Sequence, residues 1–398
     1  MATRLVPAAR IWRRAVVRDP HEQHRAATPL ELFFDLCIIV AVSLAAHELE
    51  SLLVEHRYAN ALIGFGTGFV ALWWAWMNFT WFATAHDSDD IPYRILTFVQ
   101  ISGGLVIAAG LPTAMADRDF TVVVIGYVLM RVALVAQWWR VRGSVPEHRD
   151  RATMYAVGIL LVQVLWIAWL AVPRPLQLPG WLALMLAEVL VPVVAERRSH
   201  RTVFHVEHIA ERYGLLTIIV LGESVLASTV SMRDAVDAVG MSAEVVVLAG
   251  GAVLIAYCAW WLYFNRPGHN EPAAGETVFA WGYGHLPVFA SLAAFGSGVQ
   301  LTAAWLDHRH AGDRLASLGI AIPAAGYLVS LALIDLIARA RRGPLPLKLA
   351  EAAVILAVGL IAPPPVTVLV TAAGYVFAVV MLELRARDRP ALESAAAT

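Results

Sequence analysis

The sequence predicts an all-α polytopic membrane protein, with about twelve transmembrane helices arranged as two parallel six-helix repeats. Three observations predict this class. Hydrophobic residues make up 59% of the 398 and charged residues only 15%, where soluble domains carry about a quarter charged. The apolar residues fall in runs long enough to cross the hydrocarbon layer, separated by short polar links. Two stretches also recur. Glu31-Leu-Phe-Phe-Asp-Leu-Cys-Ile-Ile-Val40 laid on Glu211-Arg-Tyr-Gly-Leu-Leu-Thr-Ile-Ile-Val220 keeps Glu, Leu and Ile-Ile-Val. Gly126-Tyr127 through Arg142-Gly143 likewise lies without gaps on Gly326-Tyr327 through Arg342-Gly343, and Trp73-Trp74 falls near Trp260-Trp261.

Taken in order, residues 1–29 form a basic segment with Arg4, Arg10, Arg13, Arg14, Arg18 and Arg25. No apolar run in it ends in a small-residue cleavage site, so it reads as a cytoplasmic segment and not as a removable signal. The first repeat, 30–196, holds spans near 30–47, 60–83, 93–112, 120–140, 153–172 and 178–195. A charged cytoplasmic link follows at 197–207. The second repeat, 208–384, holds spans near 208–230, 245–264, 278–303, 315–338, 346–362 and 365–384, and a cytoplasmic tail covers 385–398. The third and ninth spans are the most interrupted: one has Gly103, Gly104 and Gly110 before Pro112, the other Gly282, Gly284, His285 and Pro287. Spans broken at matching places in two halves point to a midplane site, although Gly and Pro are common in membrane helices generally.

Arginine placement sets the orientation. With the N-terminus in the cytoplasm, the inside segments carry Arg4–Arg25, Arg94, Arg140–Arg151, Arg197–Arg201, Arg266, Arg339–Lys348 and Arg385–Arg389. The outside loops carry only Arg57, Arg118, Arg174, Arg233, Arg309 and Arg314. That asymmetry is the positive-inside pattern, with both termini on the cytoplasmic face of the inner membrane. An even number of spans per repeat gives both copies the same orientation.

Composition excludes several classes. A formal net charge of -1 says nothing about nucleic acid, but the lack of a basic, aromatic-interleaved patch argues against it. Cys37 and Cys258 both fall inside predicted spans, against a disulfide scaffold or a paired-thiol metal site. No nucleophile elbow, phosphate-cradling loop or zinc-protease helix is present, so neither ATP-driven transport nor a cofactor is expected. The expected surroundings are a lipid bilayer, with a small solute or cation as passenger.

The candidate residues are ionisable groups inside spans. A carboxylate near the middle of a spanning helix costs roughly 2.5–3.5 kcal/mol on insertion scales. It therefore needs a partner, a proton or a wet cavity. The seventh span carries His208, Glu211, Arg212 and Glu223, and at 100° per residue His208, Arg212 and Glu223 fall within about 60° of one another. Thr28-Pro29-Leu30-Glu31 reads as a capping box that explains Glu31 without a function, and a helix start partly explains Glu211. Asp35 and Glu223 lie deeper and are the main candidates for a proton or cation relay, with Arg212 and His208 setting their charge. The bland alternative pairs them with Arg131 or Arg212 for packing alone. Glu188, Asp335 and His285 are further intramembrane candidates. His205, His208 and Glu211 follow at i, i+3 and i+6, a weak metal pattern at an interface, and no metal is expected. Trp73, Trp74, Trp76, Trp81, Trp260 and Trp261 read as belt or packing residues.

Pro29-Leu-Glu-Leu-Phe-Phe-Asp-Leu36 and the run from His208 through Gly222-Glu223-Ser224 resemble the two signature segments of the bacterial low temperature requirement A (LtrA) family. Cys37-Ile38 stand where the family pattern has Val-Phe. The resemblance implies a multi-spanning inner-membrane protein and implies no particular reaction. Three readings of function stay open: a proton- or cation-coupled transporter or permeation protein, a membrane-embedded enzyme or sensor acting on lipid through His208, Glu211 and Arg212, and a structural protein.

Overall fold

A computed structural model describes residues 14, 15, 17, 26–198, 204–265, 277–307, 312–338 and 345–387. Most of the basic N-terminal segment, part of the 197–207 link, the C-terminal end of the tail, and Arg266, Arg309 and Arg339–Arg342 lie outside the described residues. Within them the chain is helical, with no strand. The helices are α1 (Pro29–Val54), α2 (Tyr58–His86), α3 (Ile91–Asp117), α4 (Thr121–Ser144), α5 (Arg149–Trp169), α6 (Arg174–Arg198), α7 (Val206–Val239), α8 (Ala243–Phe264), α9 (Thr277–Gly284), α10 (Leu286–Leu306), α11 (Asp313–Ile337), α12 (Leu345–Ile361) and α13 (Pro364–Arg387). Eleven spans are long and apolar enough to cross a bilayer, α9 and α10 together making one of them. The 17 residues of α12 are at the lower limit for a crossing.

Helix ends follow local chemistry. Asp90 caps α3 by accepting from Tyr93 N at 3.0 Å, and Ser242 caps α8 by accepting from Val245 N at 3.2 Å. Gly240, at φ +76°, ends α7 in the left-handed region that suits glycine. The predicted interruption of the ninth span is a break between α9 and α10. Pro287 has no N–H to continue the ladder there, and His285 N bonds instead to Gly282 O at 3.2 Å. The third span differs, because α3 runs unbroken through Pro112. Proline is tolerated inside membrane helices when neighbouring groups re-satisfy the backbone.

The chain forms two compact units: residues 1–44 with 67–209, and residues 45–66 with 210–398. In the first unit α3 packs on α4, α4 on α5 and α5 on α6. The α3–α4 crossing depends on missing side chains. A Cβ on Gly126 would lie 2.6 Å from Gly103 O and 2.7 Å from Ile107 N, so the backbones approach as only glycine allows. In the second unit α10 packs on α11, α11 on α12, and α8 on α13. A Cβ on Gly298 would clash with Gly319 O, and one on Gly359 with the Ala321 methyl. Exposed Leu160, Leu161, Val164, Leu165 and Ile167 leave one side of α5 apolar, as a lipid-facing surface requires.

Candidate functional site

The site begins where α1 starts. Thr28 N and Oγ1 donate to Glu31 Oε2 at 2.8 and 3.0 Å, and Glu31 N donates to Thr28 Oγ1 at 3.3 Å. This is the capping box the sequence predicts. It does not exhaust Glu31, which is fully buried and places Oε2 3.5 Å from Nε2 of His208, also fully buried. The other ring nitrogen, Nδ1, lies 3.0 Å from Thr84 Oγ1 on α2, and Thr84 Oγ1 donates to Thr80 O at 2.8 Å. His205 Nδ1 accepts from His208 N at 3.2 Å and so caps the start of α7. Three segments, the starts of α1 and α7 and the end of α2, thus meet in a chain Thr28–Glu31–His208–Thr84 inside the first unit.

One turn deeper on α1, Asp35 is fully buried and accepts from Trp76 Nε1 at 2.7 Å. The neighbouring Phe34 and Phe79, both fully buried, form a tilted pair with 4.2 Å between centroids and 33° between planes. Two residues back along α2 and on its other side, Trp74 Nε1 donates to Glu188 at 3.2 Å. Glu188 is the polar knot of this unit. It also accepts from Arg131 Nη2 at 2.6 Å, Gln163 Nε2 at 2.9 Å and Trp166 Nε1 at 3.3 Å, collecting donors from α2, α4 and α5 onto α6. Arg131 is 1% exposed and Glu188 0%, so the pair is a buried, charge-assisted contact.

The structure redistributes the remaining candidates. Arg131 pairs with Glu188 and not with Asp35. Arg212 is fully buried, Glu223 half-buried and Glu211 exposed, so the three acidic and basic positions of α7 do not share one environment. His205 and His208 are buried while Glu211 faces outward, which separates the i, i+3, i+6 pattern, and no group of three potential metal ligands assembles among the described residues. Asp335 accepts from Lys348 Nζ at 2.7 Å. His285, fully buried at the α9–α10 break, bonds through Nδ1 to Trp281 O at 2.8 Å and is ringed by Tyr213, Trp281, Tyr263 and Phe289.

One expectation is narrowed and one corrected. Of the belt or packing roles expected, Trp74 and Trp76 take packing: at 2% and 0% exposure their indoles hold buried carboxylates. Trp260 and Trp261, 44% and 42% exposed, do suit an interface. Lys348, the chain's single lysine, is 5% exposed and ion-paired, so it does not act as an inside-loop charge. The signal for both lay in placement, since a donor-only indole or an ammonium in an apolar run needs an acceptor nearby.

The family described as bacterial low temperature requirement A protein (LtrA) has a model that matches residues 26–384. "Uncharacterized protein RA0937" of Rhizobium meliloti (strain 1021) is 25% identical over 293 residues, covering 69% of this chain and 69% of that protein. No solved structure matches.

Proposed function

The chain belongs to the bacterial low temperature requirement A family, and from that premise we propose that it is a proton- or cation-coupled transporter or permeation protein whose coupling groups are Asp35 and the Glu31–His208 pair. The observation that carries the reading is the fully buried contact between Glu31 and His208. Thr84 spends its own proton on Thr80 O, so the geometry assigns the His208 Nδ1 hydrogen to the Thr84 bond. A second proton between Nε2 and Glu31 Oε2 turns two facing lone pairs into an attraction. The pair is therefore built to hold a proton that it can also release, because imidazole and carboxylate both change charge. Asp35, one turn deeper in an aromatic setting, is the next acceptor along α1. Buried ionisable groups in membranes mark relays and pathways.

The reading extends to an inner-membrane location with cytoplasmic termini, supported by the arginine asymmetry, and to two parallel repeats. In support of the repeat, the matched anchors Gly126 and Gly326 each meet a small residue of the preceding helix, Gly103 and Ser291 respectively. The lipid-acting alternative needs His208, Glu211 and Arg212 on one accessible face, yet His208 and Arg212 are buried while Glu211 is exposed.

The test uses the full chain in liposomes with an internal pH dye, under a membrane potential and with monovalent cations supplied outside one at a time. Wild-type protein should carry cation-dependent proton movement, and Glu31→Gln, His208→Gln and Asp35→Asn should each reduce it at least about tenfold, the scale of about 1.4 kcal/mol in a barrier. Absence of flux in the wild type, or wild-type flux in all three variants, would refute the reading.

A further inference from the structure

The second unit holds another cluster of ionisable groups, built on different helices and independent of the transport reading. Lys348 and Glu351 lie one turn apart on α12, which packs against α11 and α13. Lys348 Nζ donates to Asp335 Oδ2 of α11 at 2.7 Å, both side chains under a tenth exposed. Glu351 is 9% exposed. Neither of its carboxyl oxygens has a hydrogen-bond partner among the described residues. The other titratable groups nearby have their protons committed elsewhere: Tyr327 OH of α11 donates to Ala259 O at 2.6 Å, and Tyr375 OH of α13 to Ala324 O at 2.8 Å.

The charges do not balance as drawn. One ammonium serves two carboxyl groups, and its geometry assigns it to Asp335. An ionised carboxylate enclosed by protein without a donor is among the costliest arrangements a fold can hold, and the usual resolution is to take up a proton. We propose that Glu351 is a proton-binding site, its carboxyl group holding one proton at neutral pH beside an ionised Lys348–Asp335 pair. The step is a simple uptake: a proton from water adds to a Glu351 oxygen, no covalent bond within the protein breaks, and the cluster passes from net negative to neutral. Nothing in the step calls on Glu31, Asp35 or His208, so it can stand or fall without them.

The experiment is infrared difference spectroscopy on the full-length protein in nanodiscs at neutral pH, reading the carboxylic acid C=O stretch and its shift in D2O. The Glu351→Gln variant should lose one carboxylic acid equivalent and keep the wild-type Tm, since Gln mimics a neutral Glu. Asp335→Asn gives a second readout. It frees Lys348 to turn to Glu351 one turn away, so the same acid band should convert to a carboxylate band. An unchanged acid band in both variants would overturn the proposal. So would a carboxylate band removed by Glu351→Gln, because Glu351 would then be ionised.

Discussion

Replacing Arg131 by Met tests whether the Glu188 knot is an ion pair or merely a set of hydrogen bonds. The two side chains are 1% and 0% exposed and 2.6 Å apart. Removing one member of such a pair leaves an uncompensated buried charge and costs about 3–5 kcal/mol. Gln163 at 2.9 Å, Trp74 at 3.2 Å and Trp166 at 3.3 Å remain. These neutral donors are present in both proteins, so they do not offset the difference. Glu188→Gln should cost a comparable amount by stranding the guanidinium. The double variant Arg131→Met/Glu188→Gln removes both charges. Its new amide keeps one oxygen to accept from one indole, and its NH2 can donate to Gln163 Oε1, which has no partner among the described residues, so one indole loses its acceptor. The double should therefore lose only about 1–2 kcal/mol, the worth of one or two neutral hydrogen bonds. The assay is unfolding in mixed micelles of rising SDS fraction, followed by the far-ultraviolet circular dichroism of the helices. Losses that simply add in the double variant would show that the charges are not coupled and would refute this account of the knot.

Two further outcomes follow from the packing. Gly126→Ala should destabilise by about 1–3 kcal/mol, because its Cβ meets backbone atoms of α3 that cannot swing aside. Gly66→Ala, with nothing within 4 Å of its Cβ, should be neutral or stabilising by up to about 1 kcal/mol, and the same SDS titration would expose the error if the two behaved alike. Trp76→Phe keeps the ring but removes the donor to Asp35, and should lower stability by about 1–3 kcal/mol while Trp81→Phe, half of an edge contact with Phe204 at 4.8 Å, lowers it less in thermal unfolding.

Much of the fold was legible because a bilayer makes few demands and states them plainly. Length and hydropathy alone place α1 to α8 and α13, and Pro287 marks the α9–α10 break. Pro112 shows the limit of that signal: the same residue type breaks one helix and rides inside another, because what decides is whether neighbours satisfy the freed carbonyl. The site was legible in part. Asp35, Glu31, His208, Arg131 and Glu188 stand out as charges in apolar runs, and all five are buried in contacts. Their pairing was not legible, since helical wheels give the face of one helix and say nothing about which helix stands opposite. Glu223 illustrates this: the wheel sets it beside Arg212 and His208, yet it is half-buried where they are fully buried. Nor could composition separate Trp74 and Trp76 from the interfacial Trp260 and Trp261.

The partner chosen for each acid also divides the first unit into fixed and changeable parts. Glu188 is fastened to three other helices, by the ion pair with Arg131 and by the donors of Trp74, Gln163 and Trp166. A relay group so fastened would be slow to let go. Glu31 instead faces His208, whose imidazole is a side chain that can carry a charge or none. Two acids that look alike as letters in an apolar run therefore differ in kind. Glu188 serves to hold α2, α4, α5 and α6 in register, and that rigidity keeps Thr84 of α2 in reach of His208, as the proposed relay requires. On this argument a variant at Glu188 should shift stability first and flux only as a consequence. A variant at His208 should do the reverse.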